Sequence, residues 1–492
     1  MPTGAPASLI IIVCLLALTF ALPVSAARPN VLFIVADDLN DWIGGLGGHP
    51  QARTPNLDRL AARGTLFANA HVQAPICNPS RVSVMTGLRP STTGIYGLAP
   101  SHRNAASTRD VVTLPQHFAR HGYFTASFGK VYHHNGPPDR RHTNEFTVWG
   151  LAPLPKLPPQ KFVQTPDPEP WMDWGVFPPD DNDQGDVKVV NAALAQLRAV
   201  PAGQPWLFAV GIFLPHVPCY VSQPWFDLFP PEPEILLPPW LENDRADVPD
   251  FAWLLHWKQP EPRLSWLRES GQWRPLVRAY LASIAFMDAQ VGRLLDALES
   301  SGQATNTLVV FWSDNGWHLG EKDITGKNSL WERSTRVPLI FAGPGVARGA
   351  VCQRPAELLD LYPTLSELAG LPTPAHLEGR SLVPQLRRAN ARRAAPAITT
   401  HNVNNHAVRS ERWRYIRYAD GSEELYDHRT DPNEWTNRVH EPRLARVVRE
   451  HARWLPTNNV PPVPGSKGRV LSDTNGLWYW EGQRVDWSEL EK

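Results

Sequence analysis

Four stretches of the chain share one pattern: an unbroken apolar run, rich in β-branched and aromatic residues, that stops abruptly at polar or charged side chains. They are Val31 to Val35 before Asp37-Asp38, Tyr123 to Phe128 before Gly129-Lys130, Trp206 to Phe213 before His216, and Leu308 to Trp312 before Asp314-Asn315. Runs without polar alternation suit strands buried on both faces of an α/β sheet. Helical periodicity lies between them. Thr54 reads as an N-cap with Pro55 at the first helical position, Leu57 and Leu60 on the apolar face and Gly64 beyond the end. Leu281, Ile284, Met287, Val291, Leu294 and Leu298 mark a longer amphipathic helix. Ligands of open α/β sheets bind beyond the carboxyl ends of the strands, so the four polar terminations are expected to meet in one site. A single strand-ending Asp is ordinarily a turn residue. Two acidic or amide pairs, a Lys and a His at four such ends form a set.

Two segments, residues 137 to 183 and roughly 220 to 275, interrupt this pattern and are rich in Pro and Trp. Long irregular loops of this kind commonly serve as lids or binding walls. Their tryptophans, Trp171, Trp174, Trp225, Trp240, Trp253 and Trp257 among them, are expected to divide between packing the loops and stacking on sugar rings. Near residue 390 the pattern changes to hairpins: Trp413 to Tyr418 and Glu424 to Tyr426 around Asp420-Gly421, and Leu477 to Trp480 after Asn475-Gly476. A chain of 492 residues is longer than one core usually holds. The organisation expected is a signal peptide over 1–26, a catalytic α/β domain over 27–389 and a C-terminal antiparallel-sheet subdomain over 390–492.

Charge adds little, since 48 Lys+Arg balance 48 Asp+Glu; no basic field for nucleic acid is present. Leu9 to Leu22 is too short to span a bilayer comfortably and is followed by Pro23, Val24, Ser25 and Ala26, a small-residue cleavage pattern. The n-region carries no Lys or Arg, which leaves an uncleaved anchor as the alternative. Either way the mature chain is expected to be exported, periplasmic or secreted, without stable membrane association once the signal is removed. Cys77, Cys219 and Cys352 remain after the leader. They do not make a disulfide scaffold or a zinc-binding pair, though Cys219 and Cys352 are free to bridge.

The segment around Cys77 carries the chemistry. Asn78 is a good N-cap and Pro79 suits the first helical position, which would put Cys77 just before a helix N-terminus, where exposed N–H groups favour an anion. The alternative is an inert buried thiol. Asp37, Asp38, Asp314 and Asn315 are oxygen donors, a set that selects a hard cation over zinc. Without a metal they would be solvated turn pairs. Lys130 and Lys327 are the candidate cations for an oxyanion, and Arg81, one helical turn from Cys77, would orient the nucleophile or a metal ligand. His216 and His133 are the candidate proton donors, with His134 an alternative to His133.

Cys-x-Pro-Ser-Arg over residues 77–81 resembles the signature of the type I sulfatases. Pro29 to Asp38, Thr54 through Cys77 to Pro90, Gly129 to His133, Pro215-His216, Asp314 through Lys327 to Pro338, Glu357 to Thr364 and Glu411 to Asn437 follow the family's order. Lys-x-x-His and Pro-His-x-Pro are most similar to the iduronate-2-sulfatase branch; Asn315 departs from it, since that branch commonly has His there.

The resemblance implies an alkaline phosphatase-like α/β fold, a large mixed sheet flanked by helices with a smaller C-terminal α+β domain. It implies that a maturation enzyme oxidises Cys77 to formylglycine, and that Asp37, Asp38, residue 77, Asp314 and Asn315 hold one calcium ion. Lys130 and Lys327 would grip the sulfate. One of His216 and His133 would protonate the leaving group, and the other would help the sulfated hemiacetal collapse. The implied substrate is a sulfated saccharide, with a 2-sulfated uronic acid favoured. Competing readings are a phosphodiesterase or phosphonate monoester hydrolase of the same superfamily, and an exported carbohydrate-binding protein that has lost catalysis.

Overall fold

All four apolar runs become strands, and the four lie side by side. The computed structural model describes residues 28–133, 144–201 and 203–490, with Met1 and Gly4; the expected leader and His134 fall outside them. The central sheet has eight strands: β1 (Asn30–Asp37), β2 (Gly64–Phe67), β3 (Phe124–Gly129), β4 (Val148–Trp149), β5 (Trp206–Pro215), β6 (Thr307–Ser313), β7 (Leu339–Ala342) and β8 (Ala350–Cys352). Their order is β8-β2-β7-β6-β1-β5-β3-β4. β6, β1, β5 and β3 run parallel, with Val31 opposite both Leu207 and Leu308, while β7 is antiparallel to β6 and β2. The sheet is therefore mixed, and its four parallel central strands end on one edge.

The unbroken apolar runs are explained by a core on each face. Leu32, Ile34 and Ala36 of β1 enter the core shared with α1 (Pro55–Ala62), α3 (Gly185–Ala199) and α4 (Trp273–Ser300). Val31, Phe33 and Val35 enter the other, with α2 (Cys77–Thr86) and α5 (Leu361–Leu368). Each of these β1 side chains is at most 4% exposed. At about 1.5–3 kcal/mol per large side chain, that burial makes β1 a rigid base for the acidic pair at its end.

The second sheet is antiparallel: Ala397–Thr400, His406–Arg409, Trp413–Arg417 and Glu423–Asp427. Its residues alternate. Ala407, Ile416 and Tyr426 pack against Phe251, Trp253, Trp257 and Trp331, whereas Val408, Tyr415 and Leu425 face the helix Ala445–Ala452. A hairpin follows, Leu471–Thr474 with Leu477–Trp480. Its turn residues Asn475 and Gly476 have φ of 54° and 78°, the left-handed pair a tight hairpin needs. The fold is the alkaline phosphatase-like one, a large mixed sheet joined to a C-terminal antiparallel sheet.

The insertion tryptophans divide as expected: Trp174, Trp253 and Trp257 are buried and pack the fold. The open question of a Cys219–Cys352 bridge is answered, since both are free thiols in cores on opposite faces of the sheet.

Candidate active site

The parallel strands deliver their terminal residues to one place. Asp37 ends β1 and Asp38 follows it with φ 60°; Lys130 follows β3, His216 follows β5, and Asp314-Asn315 follow β6. Opposite them stands α2, whose ten residues are all buried. The helix begins at Cys77 with Ile76 as N-cap, so Cys77 is its first residue and does not precede it. Asn78 is not the cap: its amide donates to the carbonyls of Gly97 and Pro100 at 2.9 and 3.0 Å. Pro79 fits inside the first turn because N–H groups there have no intrahelical partner.

Position 77 is ringed by charge. Lys327 Nζ lies 3.0 Å and Lys130 Nζ 4.0 Å from Cys77 Sγ, which lies 3.5 Å from Asp37 Oδ1. Lys130 pairs with Asp37 Oδ2, and Lys327 Nζ lies 2.5 Å from Asp38 Oδ1. Each lysine also sits over an aromatic ring, Phe213 at 5.0 Å and Trp317 at 5.6 Å, which fixes it with an apolar surface beneath. Arg81, fully buried one turn along α2, donates from Nε to Asp314 Oδ2 at 2.7 Å and from Nη1 to the Lys130 carbonyl, with Nη2 3.3 Å from Asp37. It ties the ends of β1, β3 and β6 to α2.

Protonation follows from these contacts. Burial opposes charge on Asp37, but Lys130, His216, Arg81 and Lys327 hold its carboxyl well below the usual carboxylate range. Asp38 is instead raised to about 7, by burial and by the neighbouring Asp37 and Asp314, despite Lys327. The Cys77 thiol is pushed up to about 12 by burial and Asp37, so an unmodified thiol here stays protonated and is a poor nucleophile. Burial, Lys130 and Lys327 lower His216. Its Nδ1 lies 2.5 Å from the Val217 carbonyl, which can only accept, so Nδ1 carries the proton and Nε2, 3.6 Å from Asp38 Oδ2, is the open nitrogen of the neutral ring.

The residues suit a metal ion. Asp37, Asp38, Cys77 and His216 offer ligand atoms within 4.8 Å of one another. Asp38 Oδ2 and Asn315 Oδ1 are buried without a hydrogen-bond partner among the described residues, and a cation satisfies such acceptors. Asn315 joins Asp38 directly, Nδ2 to Oδ1 at 2.6 Å. Asp314 is engaged differently, by Arg81 at Oδ2 and by the Asp38 N–H at Oδ1, 3.1 Å away.

Above this floor opens a cavity of about 540 Å³. Cys77, Lys130, His133, His216 and Lys327 all line it, so among the described residues the structure brings every candidate proton-transfer and cationic residue but Arg81 to one space; His134 lies outside them. Its walls include Trp171 and Met172 from the first insertion, Glu261 from the second, Trp317, and Gly468-Arg469 from the C-terminal region. Sequence reasoning missed Phe213, Trp317, Glu261 and Arg469. For Trp317 the neighbouring Asp-Asn-Gly was an available signal; for Glu261 and Arg469 no periodicity or motif pointed to a site.

Comparison with known proteins agrees with this picture. Residues 29–371 match the family described as Sulfatase, and residues 320–458 match N-sulphoglucosamine sulphohydrolase, C-terminal. The chain belongs to the sulfatase family. It is 40% identical to a protein named Sulfatase from Formosa agariphila, over 88% of this chain and 87% of that one. It is 32% identical to Homo sapiens iduronate 2-sulfatase, over 70% of each. A solved structure described as BT1596, a 2-O GAG sulfatase, superposes with a TM-score of 0.68 at 26% identity, covering 87% of this chain and 91% of that one. Among the described residues no helix is long and apolar enough to cross a membrane.

Proposed function

We propose that the protein is an exported, calcium-dependent sulfatase that removes sulfate from a sulfated saccharide, with 2-sulfated uronic acid residues favoured. The observation that carries this reading is the convergence of Lys130 and Lys327 on position 77, beside Asp37 and Asp38. The substrate assignment draws on the resemblance to iduronate 2-sulfatase and to a 2-O GAG sulfatase. In this reading residues 1–26 are a cleaved leader, 27–389 the catalytic domain and 390–492 the C-terminal subdomain.

A maturation enzyme would convert Cys77 to formylglycine, replacing a thiol that burial keeps neutral. Of the two hydroxyls of its hydrate, one attacks sulfur as the S–O bond to the sugar breaks, and deprotonation of the other expels sulfate and restores the aldehyde. Asp37, Asp38, residue 77, Asp314 and Asn315 would hold calcium, which supplies Lewis-acid stabilisation of the charge on sulfate and nucleophile oxygens. Lys130 and Lys327 bind the non-bridging sulfate oxygens from fixed positions, so little reorganisation is needed as charge shifts. His216, with a ring nitrogen within 4.8 Å of Cys77 Sγ, takes the proton from the hydrate. His133, on the cavity wall, gives a proton to the departing sugar oxygen. Arg81 keeps Asp314, Asp37 and the turn at Lys130 in register.

The test is relative kcat/KM on a sulfate monoester, a phosphate diester and a phosphonate monoester, with and without chelator and added Ca²⁺. The reading expects the sulfate ester to be preferred, with activity lost on chelation and restored by calcium. Preference for the diester or the phosphonate would replace it with the phosphohydrolase reading.

A further inference from the structure

Among the described residues, the walls of the cavity contain one cation that the sulfate-binding residues do not account for. Arg469 lines the same space as Cys77 and Lys327 but comes from a segment beyond both family matches. That segment is strapped along the chain that follows α2: the N–H groups of Val460 and Val463 donate to the Ser91 and Gly94 carbonyls at 3.0 Å each. The Leu98 and Ala99 N–H groups donate to the Gly468 and Lys467 carbonyls, also at 3.0 Å. The approach is so close that a Cβ on Gly97 would lie 2.6 Å from the Lys467 oxygen. The strap therefore holds Arg469 in a fixed place relative to the nucleophile helix.

The guanidinium itself is oriented from two sides. Nη2 donates to Glu261 Oε1 at 2.7 Å, and Nη1 donates to Asn328 Oδ1, next to Lys327 in the chain. The Glu261 side chain is 1% exposed while that of Arg469 is 16% exposed, so the acid is buried support and the arginine keeps access to the cavity. These two bonds leave further N–H donors of the guanidinium for a ligand. A planar, pre-oriented fork beside a sulfate site is suited to a second oxyanion on the same sugar.

We propose that Arg469, steadied by Glu261 and Asn328, is a specificity-determining residue that binds a second anionic group, a carboxylate or a second sulfate, on the saccharide whose sulfate ester is cleaved. The proposal rests on the sulfatase reading above. The experiment compares kcat/KM of wild type, Arg469→Ala and Arg469→Lys on three substrates: a 2-sulfated uronic acid glycoside, its carboxyl-reduced counterpart, and that counterpart carrying a second sulfate. Preference for the two doubly anionic substrates over the singly charged, carboxyl-reduced one should fall about 10- to 100-fold in Arg469→Ala, mainly through KM, and recover in part in Arg469→Lys. Loss confined to the uronate identifies a carboxylate site; loss confined to the disulfated sugar identifies a second-sulfate site. A ratio unchanged because all three rates fall together would mean that Arg469 acts only by supporting Asn328 and Lys327, and would overturn the assignment alone. A wild type that cleaves none of the three sulfate esters would overturn the 2-sulfated uronic acid part of the sulfatase reading, and the assignment with it.

Discussion

Two buried clusters of charge in this molecule look alike in composition and differ in what they leave open. Asp37, Asp38, Cys77 and His216 form one; Glu332, His428 and Glu434, under the C-terminal sheet, form the other. In the second, Glu332 Oε2 pairs with Arg409 at 3.2 Å and with Arg414. Glu434 Oε1 pairs with Arg414 Nε at 2.6 Å and His428 Nε2 at 3.0 Å, and its Oε2 accepts the Glu332 N–H at 2.8 Å. Both glutamates are held below the ordinary range despite burial, Glu332 chiefly by Arg409 and His428, and Glu434 chiefly by Arg414. In the first, Asp38 is raised to about 7, and Asp38 Oδ2 and Asn315 Oδ1 lack hydrogen-bond partners. A cluster whose carboxylates are paired with arginines holds elements together; one that leaves buried acceptors over is built to receive something.

The sharpest way to break that contrast is to remove one partner from each cluster. Glu434→Ala strands Arg414 without one of its carboxylates and should cost about 3–5 kcal/mol of stability, read as a fall in the denaturation midpoint, while kcat of the folded fraction is retained. If kcat collapsed instead with stability unchanged, the two clusters would not be functionally distinct. Lys327→Ala should do the reverse: a loss of about 10²- to 10³-fold in kcat/KM, since it removes a fixed cation from the reacting group, with a small change in midpoint. A smaller effect sharpens the comparison at a third carboxylate, Glu145. Burial would raise it, but His102, Arg103 and Thr113 hold it at about 2, against an ordinary 4.5. Its contribution, about 3 kcal/mol by linkage, is fully present above pH 4.5 and disappears as pH falls through 2. Denaturant midpoints followed from pH 5 to pH 2 should therefore drop less steeply in Glu145→Gln than in wild type; parallel curves would contradict the assignment.

The floor of the site was legible in the sequence because it sits where regular structure ends. Asp37, Lys130, His216 and Asp314 each follow an apolar run whose strand identity is fixed by burial on both faces, and parallel neighbours bring such ends together without further information. The helix begins two residues earlier than Asn78 and Pro79 suggest, because Asn78 fits an N-cap locally, whereas in the fold its amide is drawn to the Gly97 and Pro100 carbonyls. The walls were not legible. Glu261 and Arg469 are 208 residues apart in sequence, and no periodicity pairs an irregular insertion with a strap that follows the second sheet. The insertion tryptophans show the same limit: Trp171 lines the cavity, while Trp253 and Trp257 pack the C-terminal sheet, and composition alone does not separate them.

In the proposed mechanism residue 77 is an oxidised nucleophile between Lys130 and Lys327. The mass of the peptide carrying Cys77 tests this, in protein expressed with its native maturation machinery and assayed in parallel on a sulfate ester. An aldehyde at residue 77 is expected in the active protein. An unmodified thiol in protein that nevertheless hydrolyses the ester would rule the mechanism out.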